Sequence, residues 1–244
     1  MKITAIIPAR SGSKSIKNKN IIKLLGHPLI AYSIAICKIS SLVNEIIVST
    51  DSKKIAKIAK KYGANVPFIR PKNISKNNSI DVEFFLHYLN FLKKNNLKKP
   101  DIILHLRPTS PLRTLKIFNR GIKYFIKMKS YTSMRSVYKS NITPYKTFEL
   151  KKNSLTGFFP KFKNEYYNLP RQKFPESYIP NGYIDIVKPS IIKKNKLHGK
   201  KILAYKTDII PDIDTKEDFK HAENEVKKSQ YKEIINYLKN TKKI

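Results

Sequence analysis

Apolar and polar positions along this chain alternate between two periods. Short β-branched runs at Ile3 to Ile7, Glu45 to Ser49 and Asp101 to Leu106 have the length and composition of buried strands. Between them the apolar residues fall at helical spacing. Leu29, Ile30, Ile34, Ile36 and Cys37 predict a helix from about Leu29 to Ile39. A second helix, about Lys53 to Tyr62, has Asp51 or Ser52 as its cap and Gly63 as its stop. Val82, Phe85, Leu86, Leu89 and Leu92 mark a third, about Ile80 to Asn95. Ala64 to Ile69 reads as a short strand closed by Arg70-Pro71, Lys116 to Met128 as a helix and Thr132 to Val137 as a strand. Strands alternating with helices predict an α/β fold with parallel pairing and right-handed crossovers.

From Tyr138 to Pro180 the periodicity lapses. The segment is rich in aromatics, prolines and lysines, with short strand-like pieces around Tyr145 to Leu150 and Gly157 to Phe162. So many aromatics without a helical period point to an interface or a flap. Asn181-Gly182 reads as a turn into a strand at Tyr183 to Val187. A further strand at Ile202 to Lys206 leads to Ile210-Pro-Asp-Ile-Asp-Thr215, and Lys216 to about Lys239 reads as one amphipathic helix. The expectation is a single domain over residues 1–244, with 138–180 as an extension within it.

Composition changes this picture in two places. A single cysteine, Cys37, excludes an intramolecular disulfide and fits a reducing compartment. No secretory signal and no run of about eighteen apolar residues is present, so the expectation is a soluble, cytoplasmic protein. Fifty Lys and Arg against 17 Asp and Glu give a formal charge of +33. That excess is mostly Lys, spread through every segment and accompanied by heavy use of Ile and Asn, as a compositional bias would produce. No helix-turn-helix, zinc-ligand or RNA-binding pattern accompanies it, so no specific nucleic acid and no membrane is expected as partner. What remains is a general attraction to polyanions at low salt.

Candidate chemistry sits at three places. The first strand breaks at Pro8 into a loop of small residues carrying Arg10, Lys14, Lys17 and Lys19. Such a loop either cradles a phosphate with backbone N–H groups and cations or is a basic surface loop. Asp212 and Asp214 flank Ile213 in an extended segment, which puts both carboxylates on one face. Two hard oxygens there suit Mg²⁺, which takes its other ligands from water and phosphates. Alternatively, Asp214 caps the last helix. The rigid loop Arg107-Pro-Thr-Ser-Pro-Leu-Arg113 follows a strand, where ligand crevices form. His87 reads as packed or at the surface, and Cys37 as a packed thiol.

Ile6-Ile-Pro-Ala-Arg-Ser-Gly-Ser-Lys14 with Asn18-Lys-Asn20, Val48-Ser-Thr-Asp51, Pro108-Thr-Ser-Pro-Leu-Arg113, Pro170-Arg-Gln172, Pro180-Asn-Gly182 and Asp212-Ile-Asp-Thr215 occur in that order. Together, over about residues 3 to 225, the chain resembles the acylneuraminate cytidylyltransferases, or CMP-sialic acid synthetases. The resemblance implies a Rossmann-like nucleotidyltransferase sheet, mostly parallel and flanked by helices, with the aromatic-rich segment reaching across a homodimer. It implies transfer of CMP from CTP to the anomeric hydroxyl of a nine-carbon keto-sugar acid, with release of pyrophosphate. Ala9, Arg10, Ser11, Gly12, Lys14, Asn20 and Asp81 inherit nucleotide binding, and Asp212 and Asp214 inherit Mg²⁺. Arg107, Thr109, Ser110, Arg171 and Asn181 inherit contacts to the acceptor sugar or nucleotide. Catalysis falls to Arg10, Lys14, Lys19 and Asp214, with Asp214 the first candidate for a general base.

Three positions depart from the family pattern. Arg107 stands where Gln is usual, Ile179 where Arg is common, and Asn77 and Asp81 where Asp and a small hydroxyl residue are common. Arg107 offers five donors in place of a neutral amide, which suits pairing with a substrate carboxylate. The sugar implied is then legionaminic, pseudaminic or another nonulosonic acid rather than N-acetylneuraminate. The alternatives are a related nucleotidyltransferase acting on an eight-carbon acid or sugar phosphate, and a polyanion-binding protein.

Overall fold

The structure is a computed structural model that describes residues 1–12, 16, 18–159, 161–162, 165–209 and 212–241. Strands β1 (Ile3–Pro8), β4 (Glu45–Ser49), β5 (Ile102–His105), β6 (Ser133–Lys139), β9 (Tyr178–Val187) and β10 (Leu203–Lys206) form one sheet, in the order β10-β6-β9-β5-β1-β4. Two short pairings lie outside it: β2 (Lys23–Leu24) with β3 (His27–Pro28), and β7 (Phe148–Lys151) with β8 (Ser154–Gly157). The main sheet is parallel from β4 through β1 to β5 and between β6 and β10, while β9 runs antiparallel to both its neighbours.

Alternation along the strands explains the helical layers on the two faces. Ile3, Ala5 and Ile7 pack with α1 (Leu29–Ile39), α4 (Leu115–Lys127) and α7 (Lys232–Thr241), whereas Ile6 points to α3 (Asp81–Lys94) and α5 (Pro189–Ile192). Helix α1 is buried nearly all round, as its run of Ile, Ala and Leu dictates. Helix α2 (Lys53–Lys61) begins where the Ser52 hydroxyl accepts from the Ile55 amide and ends at Gly63, whose φ of +89° needs no Cβ.

Four expectations are corrected. Residues 64–69 form no strand. Asn65 makes a single bridge to Ile47 of β4, and Pro67 then removes the donor that a longer ladder needs. Asn181-Gly182 is not a turn but a bulge inside β9, where Arg135 pairs with Asp185 while Val137 already pairs with Pro180. The carboxy-terminal helix is two: α6 (Lys216–Glu225) and α7 are separated by a 3-10 turn at Ser229–Tyr231. That turn buries Tyr231 and swings Ile234 and Leu238 into the core beside α1. In the extension, β7 and β8 form a hairpin at different bounds from those expected, and Tyr145 belongs to a 3-10 turn opened by Pro144.

The extension leaves the sheet after Lys139 and returns at its cross-strand partner Tyr178. Its aromatics make a small stack of their own, Tyr145 lying 4.5 Å from Phe159 and 5.1 Å from Phe174 between ring centroids. Leu150, Leu155, Phe158, Phe162 and Leu169 remain exposed around it.

Candidate functional site

The carboxyl ends of β1 and β5 and the start of α3 enclose a cleft of about 330 Å³. This is where ligands settle on parallel sheets, because the loops diverge there and helix N-termini face inward. Among the described residues Arg10, Lys19, Arg70, Lys76 and Arg107 line it, against the single carboxylate of Asp81. Such a balance fits a polyanion.

The amino-terminal loop is arranged by its own polar contacts. The Asn20 amide donates to the Arg10 carbonyl at 2.8 Å, and Arg10 Nη1 donates to the Lys76 carbonyl at 2.7 Å and to Asn77 Oδ1 at 2.9 Å. Ser11 gives its backbone N–H and its hydroxyl to the two oxygens of Asp51, at 2.8 and 2.7 Å. In this arrangement a carboxylate holds the donors that a phosphate would take. The Ala9 N–H is used by the Ser49 carbonyl, so Ala9 contributes small size and not a donor. Gly12 is exposed, with open space around it. Lys14 lies outside the described residues.

Lys19 is buried, and its ammonium meets Asp214 Oδ1 at 2.8 Å. Asp214 does not cap the following helix. Thr215 does, accepting from the Asp218 amide at 3.1 Å, while Asp218 reaches back to the amides of Asp214 and Thr215. Asp212 accepts from the Ser110 hydroxyl at 3.3 Å, and the Ile213 amide donates to the Thr109 carbonyl at 2.8 Å. The paired-aspartate segment is thereby tied to the loop after β5. Both carboxylates are exposed around buried Ile213. Among the described residues no group of three or more His, Cys, Asp or Glu side chains is placed to hold a metal ion. A cation at this pair would therefore draw its remaining ligands from water and substrate, as Mg²⁺ does.

The loop after β5 is fixed by Arg113, whose side chain is wholly buried. Its guanidinium donates to the Tyr183, Arg107 and Gly182 carbonyls and to the Ser33 hydroxyl, at 2.6 to 3.1 Å. Burial pushes it down to about 10. Gly182, at φ +64°, lets the bulge come so close that an added Cβ would meet Ser110 Oγ at 2.7 Å. Asn181 is buried, with its amide on Thr207 and Asp208 and its carbonyl oxygen on the Tyr183 amide. These contacts hold the bulge in place. Arg107, expected to be free for a substrate carboxylate, is already paired with Asp81 and Asp185, both at 3.1 Å. Burial would lower its pKa, but these two carboxylates outweigh that and raise it. Arg171 lies in the extension, exposed, with Nη2 on the Ser140 carbonyl, and is not among the residues lining the cleft.

Arg70 is the residue that the sequence reading passed over as the end of a strand. It is 5% exposed, lies over the Phe84 ring, and its Nε and Nη2 have no hydrogen-bond partner among the described residues. Burial lowers its pKa, partly offset by Asp51. A buried cation with unmet donors on the wall of a cleft is costly unless a ligand completes it. The chain has seven arginines among its fifty cations, and three of them line this cleft.

A family profile described as Cytidylyltransferase matches residues 4–244. An N-acylneuraminate cytidylyltransferase of Escherichia coli is 34% identical over 224 residues, covering 91% of this chain and 51% of that protein. A pseudaminic acid cytidylyltransferase of Campylobacter jejuni is 40% identical over 130 residues, 53% of this chain and 56% of that one. A CMP-N,N'-diacetyllegionaminic acid synthase of Legionella pneumophila is 42% identical over 123 residues, 50% of this chain and 53% of that one. The chain thus spans about half the length of these curated relatives. Among solved structures, a CMP:2-keto-3-deoxy-manno-octonic acid synthetase complexed with CTP superposes with a TM-score of 0.66 at 12% identity, over 93% of this chain and 98% of that one. A cytidylyltransferase from Leptospira borgpetersenii gives 0.60 at 19%, over 100% and 94%. At such identities these two establish the fold.

Proposed function

The chain belongs to the cytidylyltransferase family, and on that premise we propose that it transfers CMP from CTP to the anomeric hydroxyl of a nonulosonic acid. The hydroxyl oxygen attacks the α-phosphate, pyrophosphate departs, and the hydroxyl proton passes to a base. The observation that carries this reading is the cleft, where Arg10, Arg70 and Lys76 add their charge to the already paired Lys19 and Arg107, and where Arg70 keeps two unmet buried donors. A triphosphate supplies the matching charge. Arg10, Lys19 and Asn20 hold the phosphates together with Lys14, which the sequence pattern assigns to the same role, and Arg70 donates to the nucleotide. Ser11 joins them once a phosphate displaces the Asp51 carboxylate.

Asp212 and Asp214 hold Mg²⁺ in this reading, and the ion when bound neutralises part of the triphosphate charge. Asp214 must then share its carboxylate with Lys19, its present partner at 2.8 Å, which weakens its claim as the base. The exposed apolar residues of the extension and the placement of Arg171 outside the cleft favour a homodimer in which the extension reaches the partner's site. The sequence relatives are named for nine-carbon acids, so an eight-carbon acceptor is the less favoured reading.

Pyrophosphate release is the test. CTP, Mg²⁺ and a panel of N-acetylneuraminic, legionaminic and pseudaminic acids should give turnover with at least one acid. Arg10→Ala should abolish it, and Arg70→Ala should raise the KM for CTP. Silence across the panel, with every nucleoside triphosphate, sinks the proposal.

A further inference from the structure

The two edges of the sheet are finished differently. At β4 the Asn65 backbone donates to the Ile46 carbonyl and accepts from the Val48 amide, which closes that edge. At the other edge β10 has β6 on one side, and among the described residues no backbone group pairs with its outer side. The Thr207 amide donates to the Val137 carbonyl at 2.9 Å, so residues 203, 205 and 207 turn their main-chain groups to β6. Alternate residues turn theirs the opposite way. Ala204 and Lys206, both exposed, therefore present N–H and C=O outward, and exposed Ile202 continues the same edge.

Helix α4 runs beside this edge. Tyr205 reaches from β10 to the helix, donating its hydroxyl to the Ile117 carbonyl at 2.8 Å and accepting from Arg120 Nε at 3.1 Å. On the helix Lys116, Arg120, Lys123 and Lys127 succeed one another at steps of three and four residues. With Asn119 and Tyr124 they line a groove of about 500 Å³ that contains no carboxylate. Cations at that spacing repel one another, and an anion laid among them removes the repulsion. A second copy of a chain carrying +33 is the wrong partner for this edge, and Lys206 guards it against one. Nucleic acid and an anionic membrane offer no main-chain groups to Ala204 and Lys206. An extended acidic chain meets both demands. Side chains on one face of a strand recur about every 6 to 7 Å, close to the roughly 5 to 6 Å between neighbours on the α4 row.

We propose that β10 and α4 form a docking surface for an extended acidic segment of a partner protein. The segment adds to the sheet as a seventh strand along Ala204 and Lys206 and sets alternate carboxylates against the cations of α4. No residue lining the α4 groove lines the cleft, so the inference is independent of the cytidylyltransferase reading.

The probe is a fluorescent eight-residue peptide alternating Glu and Val, titrated by anisotropy onto the full chain at about 0.15 M NaCl. Two further peptides carry the same charge but are N-methylated, one on the Val amides and the other on the Glu amides. The parent should bind saturably and one to one. Exactly one methylated peptide, the one whose donors face β10, should bind about tenfold more weakly or worse, the value of one or two hydrogen bonds. Ala204→Pro removes an outward N–H that has no partner in the fold and should weaken the parent peptide to a similar degree. Lys116→Gln with Lys123→Gln should also weaken it and reduce the salt dependence. The proposal is overturned by no saturable binding, by equal binding of all three peptides, or by an Ala204→Pro chain that binds as wild type does. Duplex DNA or phosphatidylglycerol vesicles that displace the peptide and bind Ala204→Pro undiminished would make this face a general polyanion surface and defeat it as well. The peptide comparison uses the wild-type chain, so it needs no variant to fold.

Discussion

Arg113 has no route to water, and each of its hydrogen bonds ends on a group that is also buried or half-buried. Replacing it with Lys strands the Tyr183 and Gly182 carbonyls, so Arg113→Lys should lower stability by about 3 kcal/mol in urea unfolding. Gly182→Ala combines a left-handed backbone with a contact at 2.7 Å, and should cost about 1–2 kcal/mol while loosening the loop around Ser110. Cys37 is buried, and its thiol is pushed up to about 12. It should ignore a thiol reagent in the native state and react only on unfolding, as the apolar pattern around it implied. Other residues were less legible. The sequence marks the basic loop and the Asp-Ile-Asp pair because their chemistry is local. It hides the distant partners, since Asp51 takes the Ser11 hydroxyl across 40 positions of chain, and Asp81 and Asp185 meet Arg107 across 26 and 78.

Elements whose signals are self-contained were readable to within a residue. Helix α2 has its cap, its stripe and its glycine in the twelve consecutive residues from Ser52 to Gly63, and α1 needs only its apolar run. The errors fell where long-range packing decides. Asn181-Gly182 has the composition of a turn, yet the extended pairing of β9 with β6 absorbs it as a bulge. The final charged helix has an unbroken pattern, yet burial of Tyr231 breaks it. At the head of α6, Thr215 and Asp218 cap each other while Asp218 also steadies the Asp214 amide. Thr215→Ala should cost about 1 kcal/mol, read from the denaturant midpoint, and, if Asp212 and Asp214 hold Mg²⁺ as proposed, should raise the Mg²⁺ concentration needed for half-maximal activity.

At the scale of the molecule, two electrostatic outcomes follow. With a charge of +33 the folded chain repels itself, so its thermal midpoint should rise with added NaCl from about 0.01 to 0.1 M, as the screening length falls from about 30 to 10 Å. His105 is buried between Phe84 and Phe85 with its pKa held well below the usual 6.5. The unfolded chain therefore binds this proton first, and stability should fall as pH drops below about 6.5. His105→Gln should flatten that part of the acid curve. Strand β9 carries a consequence of another kind, because it is wedged between β5 and β6 although it follows both in the chain. During synthesis β4, β1 and β5 can assemble early, but β5 then presents a bare edge until residue 187 has emerged. Only then can β6 and β10 join. The sheet is finished late and from its middle, so a ribosome-bound or truncated chain ending before Tyr178 should be the aggregation-prone species.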